Sequence, residues 1–200
     1  MLQTLRNIKS ATVKLNPEFR KDLNWFKHFL QDFNGSTSFD NWAGQSDVEC
    51  HVDASLTGLG AICGRQFYSV QLPYHLKASE RIVMFEMITV LIALRVWGNS
   101  WVNKRVTIFC DNHAVVDVIG RNKTRDSELG AILREILMLQ ARANVHLQVL
   151  HVRGEVNVIA DKLSRIHMAK CNDCISELCS EGHKRLCIGD ELFHVDITNL

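Results

Sequence analysis

Residues 79–97 are the segment that most restricts the fold, because they predict a helix that is apolar nearly all round. Such a helix has no solvent face and must be covered on several sides by other elements. Its apolar run, residues 82–94, is too short to cross a bilayer and lies between Arg81 and Arg95. The run also contains Glu86, a carboxylate that lipid would disfavour. The sequence therefore predicts a buried core helix and no membrane association.

Alternating or compact apolar patterns predict the strands. The predicted strands are residues 48–54, 61–70, a short segment at 71–72, 105–110 and 146–152. Helical periodicity predicts three further helices, over residues 112–119, 127–143 and 155–165. A strand–helix–strand crossover implies parallel neighbours, whereas a hairpin implies antiparallel ones. The predicted fold class is therefore α/β, with one mixed sheet and helices packed on it.

The chain divides into three predicted parts. Residues 1–45 form an N-terminal helical linker segment, in which Asn16 and Pro17 begin a helix. Apolar side chains recur along that helix at steps of three and four from Phe19 to Phe33. Residues 46–166 contain all the predicted strands and form the main domain, and residues 167–200 form a Cys-rich C-terminal tail.

The tail carries ligand types that are typical of zinc sites, namely Cys171, Cys174, Cys179, His183 and Cys187. Only the first pair has a spacing that is standard for structural zinc. We therefore predict a disordered or loosely packed tail in preference to a Zn²⁺ site.

Composition limits the protein's class and location. The formal net charge is +1, so a case for nucleic-acid binding must depend on local groups. The 7 cysteines occur without an apolar signal segment. They predict reduced thiols in an intracellular protein, either cytoplasmic or nuclear.

Three carboxylates interrupt segments that are predicted to be buried: Asp53 in a strand, Glu86 in the apolar helix and Asp111 at a strand end. An unpaired buried carboxylate destabilises a fold, and a divalent metal with oxygen ligands explains a group of them most simply. Asp161, on the last helix, is the natural fourth member. Taken singly, each acid has an ordinary explanation as a turn, a cap or an arginine partner. The joint pattern favours the metal.

Four motifs resemble those of ribonuclease H domains in retrotransposon reverse transcriptases, of the DIRS-like and Ty3-gypsy-like kinds. Residues 52–61 (VDASLTGLGA) resemble the first strand and hairpin, and residues 85–87 (FEM) resemble the helix that provides a Glu. Residues 110–112 (CDN) resemble the segment with the second Asp, and residues 154–165 (GEVNVIADKLSR) resemble the terminal motif. Residues 15–35 look like the linker helix that precedes this domain in DIRS-like elements.

The resemblance implies a ribonuclease H-like fold, with a mixed five-stranded sheet and helices on both faces. It implies an acid tetrad of Asp53, Glu86, Asp111 and Asp161 that holds two Mg²⁺ or Mn²⁺ ions. One ion would activate a water for attack on the RNA phosphate, and the other would stabilise the leaving 3′ oxygen. The implied activity is endonucleolytic hydrolysis of the RNA strand of an RNA–DNA hybrid. The implied partners are that hybrid and a reverse transcriptase polymerase domain.

Further candidates accompany the tetrad. His151 precedes Asp161 by ten residues, which suits the mobile His of cellular ribonucleases H, although a structural strand-end His is the alternative. The predicted substrate contacts are Asn112, Arg121, Lys123, Arg125 and Asn157. The basic members of this set would touch phosphates, or else belong to an ordinary solvated loop.

Other functions remain open at this point. A four-acid 3′–5′ exonuclease usually has Asp-x-Glu on its first strand, whereas Asp53 is followed by Ala54 and Ser55. A catalytically silent domesticated or polyprotein module would bind nucleic acid or serve as a structural spacer. A pure DNA-binding protein is disfavoured because the chain has no basic face. Paired polymerase aspartates are absent, so we expect a fragment, an isolated domain or a domesticated remnant.

Overall fold

A computed structural model of the chain describes residues 15–32, 45–77, 81–166 and 168–195. The strands are β1 Val48–Ala54, β2 Gly58–Cys63, β3 Gln66–Gln71, β4 Arg105–Cys110, β5 His146–His151 and β6 Lys184–Arg185. The helices are α1 Pro17–Asp32, α2 Tyr74–Lys77, α3 Ile82–Trp97, α4 His113–Gly120, α5 Ser127–Ala143, α6 Val158–Ser164 and α7 Ala169–Ser180. Short 3-10 turns cover Gly98–Ser100 and Asp190–Phe193.

The strands form one mixed sheet in the order β5-β4-β1-β2-β3-β6. The β1–β2 and β2–β3 pairs are antiparallel, whereas β4 is parallel to both β1 and β5. The predicted α/β class with a mixed sheet is therefore confirmed. Residues 61–70 are not one strand as predicted, because a turn at Gly64 and Arg65 divides them between β2 and β3. Gly64 has a φ of 55°, a conformation that favours glycine and permits this tight reversal.

Helices cover both faces of the sheet, as the resemblance implied. Tyr68 and Phe67 are neighbours on β3 and point to opposite faces. The Tyr68 hydroxyl donates to the Thr89 carbonyl oxygen of α3 at 3.1 Å. Phe67 packs instead with Leu163 of α6 and with residues of α7. The larger core thus lies between the sheet and α3, and a smaller one lies beneath α6 and α7.

The apolar helix α3 is buried as predicted, although it begins at Ile82 and not at residue 79. Residues 78–80 lie outside the described part of the chain. The segment Ile82–Ser100 is long and apolar enough to cross a membrane, but 67% of its apolar 18-residue stretch is buried inside the protein. Packing against the sheet and α5 accounts for this composition.

The last predicted helix starts later than expected. Residues 154–156 form a turn, and the backbone N–H groups of Val156 and Asn157 donate to the Arg153 carbonyl oxygen. Only from Val158 does the chain adopt the regular helix α6.

Helix α1 confirms the predicted N-terminal helix, but its main contact was not predicted. Trp25 is buried, and its indole N–H donates to the Arg134 carbonyl oxygen of α5 at 3.2 Å. The stripe of Phe19, Leu23 and Phe26 is largely exposed. Phe33, the last residue of the predicted stripe, lies outside the described residues.

The prediction of a loosely packed tail is wrong for residues 168–195. Helix α7 packs on α6, and β6 extends the sheet to six strands by pairing with β3. The following turn places Phe193 in the larger core with 2% exposure. Beside it, the Arg95 guanidinium donates to the Leu192 carbonyl oxygen at 2.5 Å. The tail therefore runs over the sheet edge from the smaller core to the larger one.

Candidate metal centre

Two of the predicted acids lie at the same end of neighbouring strands. Asp53 is in β1, and Asp111 directly follows β4. The parallel register ends with the pair His51 and Phe109, and Asp53 and Asp111 each lie two residues further along the chain. These are carboxyl ends of parallel strands, where open α/β sheets commonly build their sites.

Glu86 reaches this sheet end from α3. Its side chain is almost fully buried, and its Oε2 accepts from the Cys110 thiol at 3.6 Å. Ligand atoms of Glu86, Cys110 and Asp111 all lie within 4.8 Å of one another. The carboxylate in the middle of the apolar helix thus meets the acid at the end of β4.

Burial and the neighbouring acids raise the pKa values of Asp53 and Glu86. Burial raises the pKa of Asp53 to about 7, the Ser164 hydroxyl opposes the rise, and the charges of Asp111 and Asp161 add to it. Burial also raises the pKa of Glu86 to about 9, and the charges of Asp53 and Asp111 contribute. Like charges that share a buried site produce this effect. All four predicted acids therefore belong to one electrostatic group.

Asp161 is more accessible than Asp53 and Glu86, with 36% of its side chain exposed. Its Oδ1 accepts from Nε of Arg165, one helical turn later, at 2.8 Å. The hydrogen bond to Asp161 is the largest cause that raises the pKa of Arg165. The negative charges of Asp161, Asp53 and Asp111 raise it further. Arg165 is thus a cation at the rim of the acid group.

Helix α6 lies directly on the sheet, and this contact fixes Asp161. A Cβ on Gly60 would stand 2.5 Å from the Ser164 nitrogen and 2.6 Å from the Ala160 carbonyl oxygen. Two serines, one in β3 and one directly after β1, also bind the end of α6. Ser69 donates to the Leu163 carbonyl oxygen at 2.6 Å, and Ser55 donates to that of Ser164 at 2.8 Å.

Replacing Gly60 by Ala is expected to destabilise the protein. The new methyl group would meet backbone atoms of α6, which cannot rotate away as a side chain can. Overpacking of a core typically costs about 1–3 kcal/mol. Urea unfolding measures the change, and Gly120→Ala serves as the control because its Cβ meets nothing within 4 Å. Equal unfolding midpoints for Gly60→Ala and the natural protein would contradict the close contact.

Asn157 has a structural place, and its contact with substrate stays a prediction. It is 1% exposed, and its amide donates to the Val52 carbonyl oxygen at 2.8 Å. Its Oδ1 lies 3.2 Å from Nδ1 of His51. Asn157 therefore ties the start of α6 to β1, next to Asp53. Asn112 caps α4, since its Oδ1 accepts from the Ala114 N–H at 3.0 Å.

His151 lies at the exposed end of β5, as expected for a strand-end residue. Its Nε2 is 3.2 Å from the Asp111 carbonyl oxygen. Its ring stacks on that of His113, with centroids 3.5 Å apart. Sequence reasoning missed His113, and also gave no role to Cys110 or Arg165. Each lies within four residues of a predicted acid, which was the available signal.

The basic residues Arg121, Lys123 and Arg125 are exposed. Arg121 also pairs with Asp117, at 3.3 Å. Helix α4, of 8 residues, separates this cluster from Asp111, which corresponds to about 12 Å along the helix axis. The cluster therefore lies apart from the acids along the chain.

The donor set fits hard divalent ions. Asp53 and Glu86 are buried, and the negative charges of the neighbouring acids disfavour their ionised forms. A cation bound among these carboxylates would offset the repulsion. Mg²⁺ and Mn²⁺ prefer carboxylate oxygens and would relieve this repulsion. Asp53, Glu86, Asp111 and Asp161 are the residues that could hold them.

Without divalent metal, the free energy of unfolding is expected to fall as the pH rises from about 4 to 9. In the folded state the pKa values of Asp53 and Glu86 are raised to about 7 and about 9. The folded protein therefore holds protons that the unfolded chain has already released, and raising the pH removes that advantage. Urea unfolding in EDTA at pH 5 and pH 9 measures the effect. Stability that rises with pH would contradict the buried acid group.

Residues 45–167 match the model of a family described as reverse transcriptase-like. The chain belongs to the reverse transcriptase-like family. The match confirms the resemblance to ribonuclease H domains noted from the motifs. No curated protein matches the sequence.

Solved structures similar to this family member include three ribonucleases H. RNase H1 from a compost metagenome, LC11-RNase H1, is 18% identical over 60% of this chain and 93% of its own, with a TM-score of 0.49. RNase H1 from Halobacterium salinarum is 15% identical over 65% of this chain and 98% of its own, with a TM-score of 0.47. The N-terminal RNase H domain of a Mycobacterium tuberculosis protein is 14% identical over 68% of this chain and 99% of its own, with a TM-score of 0.43.

Proposed function

We propose that this protein hydrolyses the RNA strand of RNA–DNA hybrids in a metal-dependent reaction. The observation that carries the proposal is the single electrostatic group formed by Asp53, Glu86, Asp111 and Asp161. Buried carboxylates that repel one another destabilise a fold and are explained by a cationic ligand. The family match across these residues supports a nuclease of the ribonuclease H type.

The proposed roles follow from where the acids lie. Asp53 of β1 and Asp111, which directly follows β4, would hold the metals in common, and Glu86 and Asp161 would complete the ligand sets. Two bound Mg²⁺ or Mn²⁺ ions would supply an activated water and charge stabilisation at the leaving 3′ oxygen. Arg165 keeps one oxygen of Asp161 engaged and so orients the other.

Residues beyond the tetrad would bind the hybrid and aid turnover. Arg121, Lys123 and Arg125 would contact phosphates at a distance from the cleaved bond, because α4 separates them from Asp111. His151 would assist product release from its exposed position beside Asp111. Selection of the RNA strand would depend on contacts with 2′-hydroxyl groups.

The retroelement origin is also a proposal. The terminal motif over residues 154–165 resembles that of retrotransposon ribonuclease H domains. The protein would act as part of a retroelement reverse transcriptase, or as its remnant, beside a polymerase domain.

The direct test compares four labelled substrates: an RNA–DNA hybrid, duplex RNA, duplex DNA and single-stranded RNA. Each is incubated with Mg²⁺, Mn²⁺ or EDTA. We expect cleavage of the RNA strand of the hybrid alone, with either metal and not with EDTA. Hybrid binding without cleavage, by a protein with a cooperative unfolding transition, would contradict the proposal and favour a catalytically silent binding module. Cleavage of duplex DNA at the same rate would reject the assigned substrate.

A further inference from the structure

Two cysteines face each other across the first hairpin. Cys50 of β1 is paired in register with Cys63 of β2. The Ser55 N–H donates to the Gly58 carbonyl oxygen at the hairpin end. In antiparallel strands, hydrogen-bonded pairs alternate with non-hydrogen-bonded pairs. Counting back from Ser55 and Gly58 therefore puts Cys50 and Cys63 at a non-hydrogen-bonded position.

That position has the dimensions of a disulfide. Non-hydrogen-bonded partners have Cα atoms about 4.5 Å apart and side chains on the same face. Disulfides span Cα separations of roughly 4.4–6.8 Å. Each thiol also lies near enough to the other to change its pKa. The bond could thus form without a change in strand pairing.

The two thiols differ in accessibility, which sets an order of reaction. Cys50 is fully buried in the larger core, whereas Cys63 is partly exposed. The hydrogen bond with Cys50 lowers the pKa of Cys63 most, burial opposes it, and Trp101 and Lys104 lower it further. Burial raises the pKa of Cys50. Cys63 is therefore the thiol that a small oxidant reaches first, as a more reactive thiolate.

We propose that Cys50 and Cys63 form an oxidation site, which hydrogen peroxide converts into a cross-strand disulfide. The Cys63 thiolate attacks one peroxide oxygen and the O–O bond breaks, which gives a sulfenic acid and a hydroxide. The hydroxide takes up the proton that Cys63 lost on ionisation and becomes the first water. The Cys50 sulfur then attacks the Cys63 sulfur, loses its proton and releases a second water. Two thiols and one peroxide thus give one disulfide and two waters, and a dithiol reductant reverses the change.

The other cysteines provide the contrast. Cys171 and Cys174 are buried on α7, and Cys110 is buried beside Glu86. None of these has a partly exposed cysteine paired opposite it among the described strands. Cys179 and Cys187 are exposed, so they would form bonds between molecules and are best replaced in the test.

The test uses the full chain with Cys179→Ser and Cys187→Ser, which leaves five of the seven thiols. After peroxide treatment, quenching and denaturation, alkylation is expected to find three free thiols. Peptide mapping should find Cys50 joined to Cys63, and dithiothreitol should restore five thiols. The control adds Cys63→Ser and should keep all four of its thiols, because Cys50 is shielded.

Five free thiols after treatment, or a bond joining other cysteines, would overturn the proposal. Loss of two thiols in the Cys63→Ser control would also overturn it. As a second measurement, the protein with Cys179→Ser and Cys187→Ser should unfold at a higher temperature when it is oxidised than when it is reduced. The reason is that the disulfide bond restricts the unfolded chain. An unchanged or lower temperature, with the bond formed, would contradict this geometry. Both readouts are independent of hybrid cleavage.

Discussion

Replacing Asp53 by Asn is expected to abolish cleavage and, without metal, to stabilise the protein. The amide cannot serve as an anionic metal ligand, and loss of such a ligand should lower the cleavage rate by on the order of 10³-fold or more. The same change removes a buried charge that repels Asp111 and Asp161. At pH 8 in EDTA the free energy of unfolding should therefore rise, by on the order of a few kcal/mol.

Two measurements check these opposite signs. Single-turnover cleavage in Mn²⁺ gives the rate, and urea unfolding in EDTA gives the stability. Asp117→Asn is the matched control, because Asp117 is an exposed acid paired with Arg121. It should change stability by less than about 0.5 kcal/mol and leave the cleavage rate unchanged. If Asp53→Asn loses stability in EDTA, Asp53 does not belong to a self-repelling acid group.

Replacing Phe193 by Ala is expected to cost about 3–5 kcal/mol, the usual range for a buried aromatic side chain. Phe193 is 2% exposed and belongs to the larger core with residues of α3 and the sheet. Its loss would leave a cavity and weaken the attachment of the C-terminal segment beside Arg95. The measurement is the urea midpoint at constant slope, because a changed slope would indicate loss of two-state unfolding.

Tyr74→Ala provides the comparison for this experiment. Tyr74 is an aromatic residue of similar size with 90% exposure, so its replacement should change stability by less than about 0.5 kcal/mol. If Phe193→Ala has as small an effect, residues 168–195 do not share the cooperative unit of the sheet.

The acid group was predictable because its members break strong local patterns. Asp53 interrupts an alternating strand, and Glu86 has no polar face on its helix. Both exceptions are visible without knowledge of the tertiary structure. Asp161 is partly exposed, so it does not interrupt an apolar pattern. The family motif over residues 154–165 was the signal that indicated it.

The packing of the tail was not predictable in the same way. Strand β6 has two residues, and the Phe193 turn has four, so neither is long enough to show a period. These segments are stabilised by contacts with residues far away in the chain, such as Phe67 and Arg95. The structural contacts of Asn157 were not predictable for a related reason: its partners on β1 are more than one hundred residues away.

The β2–β3 turn shows a third limit. Residues 61–70 read as one apolar strand, and only the backbone conformation of Gly64 reveals the reversal. A glycine within a strand pattern indicates a turn or a bulge equally well. The local sequence therefore indicated that these residues form β-structure but not where the chain reverses between β2 and β3.

The most direct test of the metal centre is cleavage of a labelled RNA–DNA hybrid by the natural protein and by Asp111→Asn, each with Mn²⁺ and with EDTA. Circular dichroism of both proteins verifies that they are folded. We predict that only the natural protein with Mn²⁺ cuts the RNA strand. Cleavage by Asp111→Asn at the natural rate would contradict the assignment of the acid group as the catalytic centre.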